Sequence, residues 1–259
     1  MSSINMTFDF CLSNRNHCSR AFYRTMAIMM CLLTTSSAFA TAEYQPTAGF
    51  DVAWENNYVT QGRDNLDHGG IAWAVANIEQ NDLAVYAIVG RADQVNYVEW
   101  NLGLEYTLHL ANNIDATVGY QRLEFYGDER CSDNEFFGAL TVNGLTWFVP
   151  AVNYTYATEA GGYFIELSIH SPWEITQHLT LTPYIVQGFD FQYSSEEHNG
   201  ANHFQFGLEA EQKLNDSMAL SAHISHSIAL GDIKQQASAD NIQGSLDQTY
   251  AGVHFKLSF

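Results

Sequence analysis

The sequence predicts an all-β fold: a transmembrane antiparallel up-and-down β-barrel of about twelve strands, preceded by a cleaved signal peptide. Three observations carry this prediction. The chain opens with an export-type leader, continues through segments that alternate apolar and polar residues with a period of two, and joins them by connections that alternate between short turns and long polar loops.

The leader places Arg15, Arg20 and Arg24 ahead of an apolar stretch at 26–33 and then Ala38-Phe39-Ala40, the order of basic, apolar and small residues of a secretory signal. Cleavage is expected after Ala40 or, through the overlapping Ala40-Thr41-Ala42, two residues later. With the second choice, residues 1–42 are the signal and 43–259 the barrel. Met30 before Cys31 is too bulky for lipoprotein processing. Cys11, Cys18 and Cys31 leave with the leader, so only Cys131 remains and no intramolecular disulfide is expected.

The mature part holds seven basic and 28 acidic side chains, a formal charge of −21, which makes nucleic acid a poor partner. No stretch after the leader approaches the ~20 apolar residues of a membrane-spanning helix. Only a closed barrel can then cross a bilayer, because each backbone polar group in hydrocarbon needs a partner.

The clearest strand runs over 97–110. Val98, Trp100, Leu102, Leu104, Tyr106 and Leu108 share one face and Glu99, Asn101, Gly103, Glu105, Thr107 and His109 the other. At 3.6 residues per turn both sets would smear around a helix, so the pattern is that of a strand with one greasy and one wet side. Similar alternation places strands at 50–61, 71–78, 83–90, 97–110, 114–126, 135–142, 145–156, 163–170, 179–193, 203–214, 218–230 and 248–259. Tight turns are expected at 79–82, 111–113, Asn143-Gly144 and 215–217, with Asn-Gly a hairpin signal. The connections at 62–70, 91–96, 127–134, 157–162, 194–202 and 231–247 are longer and rich in Asp, Glu, Gly and Asn; that at 171–178 is longer than a turn should be. Short turns on one side and long loops on the other are the rule for bacterial outer-membrane barrels.

Facing follows from the alternation. Glu99, Glu105, Asp115, Glu166, Asp190, Glu209, Glu211 and His223 are expected in the lumen, with Lys256 as the main opposing cation. Twelve strands lie between the eight that side chains fill and the sixteen that leave an aqueous channel. Gly103, Gly119, Gly188 and Gly207 are expected to leave room, and Phe164, Tyr184 and Tyr250 to fill it. Trp54, Trp73, Trp100, Trp147, Tyr58 and Tyr106 are read as girdle or wall aromatics. The last strand carries Val253, Phe255, Leu257 and Phe259 on its lipid face and ends on an aromatic residue, the pattern of a signal for the barrel assembly machinery.

The segment Asn57-Tyr58-Val59-Thr60-Gln61-Gly62, followed by Gly69-Gly70, resembles the opening hairpin of TorF-type porins of proteobacteria; 97–106 and 162–168 resemble further strands of that family. The resemblance implies a twelve-stranded outer-membrane barrel with pore activity and names no substrate. The family usually carries Arg just before the glycine of the first motif; here Gln61 stands there and Arg63 follows Gly62. With an acidic lumen, the expected function is passive diffusion of small cationic or neutral solutes. A non-conducting structural or adhesive barrel acting through its outer loops is the alternative, with 231–247 able to fold inward as a plug. A lipid hydrolase and a soluble secreted β-sandwich stand further off.

No catalytic set, cofactor or metal is expected. His223 and Ser225 share a strand face as in a barrel lipase, but Leu220, Ala222, Ile224 and Ile228 take the lipid side, which puts both in the lumen. His223 and His226 point oppositely, and His198 and His203 with Glu196 and Glu197 flank a loop, which is weak evidence for a metal. Cys131, beside Arg130, and the acids Asp64, Asp67, Asp128, Glu129, Asp133, Glu196 and Glu197 are assigned to outer loops. The acids would stay hydrated or share divalent cations with lipopolysaccharide. The expected partners are outer-membrane lipid and lipopolysaccharide, the assembly machinery and small solutes. Deleting Phe259 or replacing it with a charged residue should lower the yield of folded barrel in the outer membrane, measured by fractionation and a heat-modifiability gel; a wild-type yield would remove the terminal signal.

Overall fold

The structure, a computed structural model, describes residues 46–66, 68–127, 130–194, 199–240, 242 and 244–259. The expected leader lies outside the described residues, as do Asp67, Asp128, Glu129, Glu196, Glu197 and His198. The barrel strands are β1 (Thr47–Glu55), β2 (Ile71–Gln80), β3 (Leu83–Ala92), β4 (Val98–Ala111), β5 (Ile114–Tyr126), β6 (Arg130–Val142), β7 (Val149–Ala157), β8 (Tyr163–His170), β9 (Leu179–Phe191), β10 (Asn199–Asn215), β11 (Met218–Ala229) and β12 (Gln248–Ser258). Each pairs antiparallel with its sequence neighbours, and β1 pairs with β12, so the sheet closes into a twelve-stranded barrel. The seam runs from Glu55 opposite Gly252 to Gly49 opposite Ser258. The amide of Phe259 donates to the Ala48 carbonyl (2.9 Å) and that of Ala48 to the Phe259 carbonyl (3.3 Å), pinning the last residue to the first strand.

The outward face is the apolar one. Leu104 is 47% exposed, Val253 51% and Ile224 56%, and Val85, Leu102, Leu140, Val152, Leu167 and Leu208 continue the belt. A contiguous apolar girdle of this kind is untenable in water and is matched by lipid. Aromatics mark its rims: Trp54, Trp100 and Tyr126 on the side of the long loops, and Trp147, Phe148 and Trp173 on the side of the turns and chain ends. At the level of the outer rim, Arg122 and Arg130 pair with Glu124 at 2.9 and 3.3 Å, Glu124 opposite Trp100 and Arg122 opposite Leu102. Among the described residues no helix is long and apolar enough to cross a membrane.

Several boundaries differ from the sequence reading. The strand expected over 50–61 stops at Glu55, and the chain then turns into the lumen. The turn expected at Asn143-Gly144 is a longer connection, with Thr141 paired to Ala151. Asn143 docks on the neighbouring turn instead, its amide donating to the Asn113 carbonyl (2.8 Å) and its side chain to Asp115 (2.6 Å). The long connection at 171–178 is a small hairpin in which Trp173 pairs with Leu181. β6 begins at Arg130, so Cys131 and Asp133 belong to a strand and not to a loop; Asp133 is buried and accepts bonds from the Thr158 hydroxyl and the Glu159 amide. The longest loop carries a helix, α1 (Gly231–Ala239), packed on β10 and β11.

Leu104→Arg should destabilise the barrel by about 2 to 4 kcal/mol, the cost of Arg near the midplane of a lipid-facing wall, as measured by urea titration of the folded protein in liposomes. An unchanged midpoint would mean that Leu104 does not face lipid.

Candidate functional site

The lumen is the candidate site, and its filling explains its shape. Each glycine expected to leave space lies beside a ring that lies over it. Gly103 is paired with Tyr86, Gly119 with Phe137, Gly207 with Tyr184 and Gly188 with His203, and a Cβ at any of the four would run into that partner's ring. The expectation of free room at these glycines is therefore corrected: glycine lets a cross-strand aromatic lie flat on the wall, so the two positions together form a smooth lining.

The outer half is packed by the segment that follows β1. Tyr58, expected as a girdle aromatic, is buried inside the barrel, where its ring meets that of Trp73 edge-on at 5.2 Å. Trp73 is likewise interior. Together with Leu66, Ile71, Val75, Tyr86 and Ile88 they form an apolar cluster between the inserted segment and the inner face of β2 and β3. The signal for this was in the sequence: β2 and β3 are apolar on both faces, as strands covered on both sides are. The segment reverses through Val59–Thr60 paired with Arg63–Asp64. Its turn residues Gln61 and Gly62 have φ of +48° and +75°, and a Cβ at Gly62 would come within 2.5 Å of His203 Cβ. Glycine is needed there both for backbone conformation and for close approach.

Arg63 fastens the segment across the mouth. It donates to Asn202 Oδ1 (2.6 Å), to Asp232 Oδ2 (2.8 Å) and to Gln236 Oε1 (3.2 Å), and lies 3.7 Å from Asp190. One guanidinium thus joins the inserted segment to β10, to α1 and to the outer end of β9. Asn202 donates to the Gln61 carbonyl (2.6 Å), and the Ser194 hydroxyl to Gln61 Oε1 (2.9 Å). In the alternative of a plugged barrel it is 231–247 that folds inward; in the structure residues 56–66 enter the lumen, and α1 of 231–247 is tied to them through Asp232 and Gln236.

The predicted lumen residues divide into three groups. Glu99 and Asp190 are fully buried in the packing of the mouth: Glu99 accepts from Tyr58 (2.7 Å), Tyr97 (2.6 Å) and Asn101 (2.8 Å), and Asp190 from the amides of Tyr193 and Ser194. Glu105 is buried too, but towards the turn side, opposite Ala84 and Gly119. Asp115 and Glu211 sit near the turn side, Asp115 against His109 (2.6 Å) and Glu211 against Lys256 (3.0 Å). Glu166, Glu209 and His223 line a cavity of about 440 Å³ beneath the inserted segment. Sequence reasoning missed Glu135, fully buried, which accepts from Gln121 (2.5 Å) and from the Tyr193 hydroxyl, while Gln121 accepts from Tyr86.

The cavity holds Asp51, Glu55, Glu166 and Glu209 against Lys256, with His170, His203, His223 and His254 among its further lining. Ser225 shares a hydrogen bond with the Tyr184 hydroxyl (2.6 Å), and His223 Nε2 faces Glu55 at 3.8 Å. Of the pair considered for nucleophilic chemistry, Ser225 is thus hydrogen-bonded to Tyr184. Val253 and Phe259 lie exposed on the outer surface and Phe255 and Leu257 half-exposed, with Phe255 opposite Val52 and Leu257 opposite Phe50 across the seam.

No family model and no curated protein matches this chain. Solved structures do. The KdgM porin in complex with disordered oligogalacturonate superposes with a TM-score of 0.56 at 9% identity, over 82% of this chain and 99% of that one. The COG4313 outer membrane channel from Pseudomonas putida F1 gives 0.52 at 7% identity over 86% and 100%, and the NanC porin 0.50 at 10% over 81% and 98%. At such identities the likeness is one of fold, and the fold it establishes is that of a membrane-inserted, porin-like outer-membrane β-barrel.

Proposed function

We propose that the chain is a narrow outer-membrane channel that passes small cationic or neutral solutes, and that it is of the TorF type. The observation that carries this reading is the cavity inside the closed barrel, whose charged lining is four carboxylates against one lysine. Low-dielectric walls focus that field, and rings of acidic side chains favour cations. The family reading is supported by the Asn57–Gly62 segment, which forms the inward turn of the outer mouth. On this reading the apolar belt meets outer-membrane lipid, the outer rim meets lipopolysaccharide, and Val253, Phe255, Leu257 and Phe259 are read by the assembly machinery.

In planar bilayers, reversal potentials across a salt gradient should show cation preference, and Glu166→Gln with Glu209→Gln should move the permeability ratio toward unity. Anion preference unchanged by these substitutions would contradict the proposal.

The Arg63 cluster favours a second reading, a barrel closed at its mouth. Arg63→Ala would leave Asp190 and Asp232 without their cation, a loss of about 3 to 5 kcal/mol for a buried pair. Loosening of residues 56–66 should follow, seen as faster proteolysis there and higher single-channel conductance. Unchanged protease resistance and conductance would mean that Arg63 does not hold the mouth.

A further inference from the structure

Three lumenal side chains converge around one glycine at the closure seam. β12 lies between β1 and β11, and Gly252 is opposite Glu55 on one side and His223 on the other. His254 is two residues further along β12 and so points to the same side. A Cβ at Gly252 would come within 2.6 Å of His223 Cε1 and 2.8 Å of Glu55 Cγ, so the absence of a side chain there gives the two groups room to lean together. One ligating atom from each of Glu55, His223 and His254 lies within 4.8 Å of the others.

We propose that Glu55, His223 and His254 form a binding site for a divalent transition-metal ion of the zinc class, open on its fourth side to the lumen. Two imidazoles and a carboxylate are a donor set such ions take, with metal–ligand distances of about 2.0 to 2.2 Å. Tetrahedral ligands at that range stand about 3.4 Å apart. His223 Nε2 and Glu55 Oε1 are 3.8 Å apart, too far for a hydrogen bond and close to the spacing an ion would impose. His254 has its Nδ1 edge toward Asp51 Oδ2 at 3.4 Å, which leaves Nε2 as the ligating atom and sets a carboxylate behind the imidazole, as is usual for metal-bound histidine. The other oxygen of Asp51 is buried with no hydrogen-bond partner, so that carboxylate has capacity to tighten on a polarised ring. All three ligands line the cavity, which provides the ion's route and the open coordination position. Lys256, the nearest fixed cation of the lining, is held by Glu211 at 3.0 Å.

The proposal deepens the channel reading, on which it rests for the ion's way in, by naming a class of cation that the lumen holds. Binding is therefore measured apart from conduction. Isothermal titration of the folded, detergent-solubilised barrel with zinc chloride should give one site per chain. His223→Ala and His254→Ala should each weaken it at least tenfold, and Asp51→Asn by about tenfold through the orientation of His254. His226→Ala, on the outer face beside Thr249, should leave affinity unchanged and serves as the control for loop and surface binding. Each variant is first checked for the heat-modifiable folded form, and Glu55→Gln gives an isosteric replacement should an alanine variant fail to fold. No binding by the wild-type barrel, or binding that survives the His223→Ala/His254→Ala double variant, would overturn the site. A barrel that binds zinc at these residues but never conducts would leave the site standing and remove the channel reading.

Discussion

A chain that crosses hydrocarbon with strands must pair every backbone N–H and C=O along the crossing, because no water is there to take an unpaired one. In this protein that requirement is met by the β1–β12 seam. Without the pairing of Gly49 to Ser258 through Glu55 to Gly252, two strand edges would stand open in lipid. The reciprocal bonds of Phe259 and Ala48 bring the seam to the last residue of the chain. Closure then dictates the rest. It fixes which residues face lipid, and it encloses an interior that twelve strands make too wide to be filled by wall side chains alone.

The interior is filled from two directions. From the wall, aromatic rings fold over facing glycines, as Tyr86 over Gly103 and Tyr184 over Gly207, and thicken the lining. From the mouth, residues 56–66 enter as a plug whose apolar side packs on Trp73 and Ile88 and whose polar side is tied by Arg63. Buried carboxylates are tolerable only when their lone pairs are engaged. Glu99 with three donors and Glu135 with two meet that condition, and they turn the acids on the outer part of the wall into structural anchors. The acids left over, chiefly Asp51, Glu55, Glu166 and Glu209, surround the remaining cavity.

The architecture was legible because alternation of period two is a local signal, as over Val98–Leu108, and because short turns such as Ala111–Ile114 stay close to the residues that form them. The inward turn after Glu55 was not. Tyr58, Val59 and Thr60 have high strand propensity, and only contact with Trp73 and Glu99 makes the lumen their best place. The anchors of Arg63 lie 139, 169 and 173 residues away in sequence, and the convergence of Glu55, His223 and His254 depends on the register of three strands, which no spacing in the chain encodes. Asn143-Gly144 shows the opposite error. A strong local turn signal was overridden by the docking of Asn143 on a neighbouring turn, with Trp147 and Phe148 carried to the rim.

The central claim is that one face of each strand meets lipid and the other a filled, polar lumen. A scan of single cysteines along residues 219–228 of β11, on a Cys131→Ser background, tests it directly, each labelled with a small fluorophore in bilayers containing brominated lipid. The account predicts quenching that alternates residue by residue, strong at 220, 222 and 224 and weak at 221, 223 and 225. Uniform quenching, or none at any position, would contradict it.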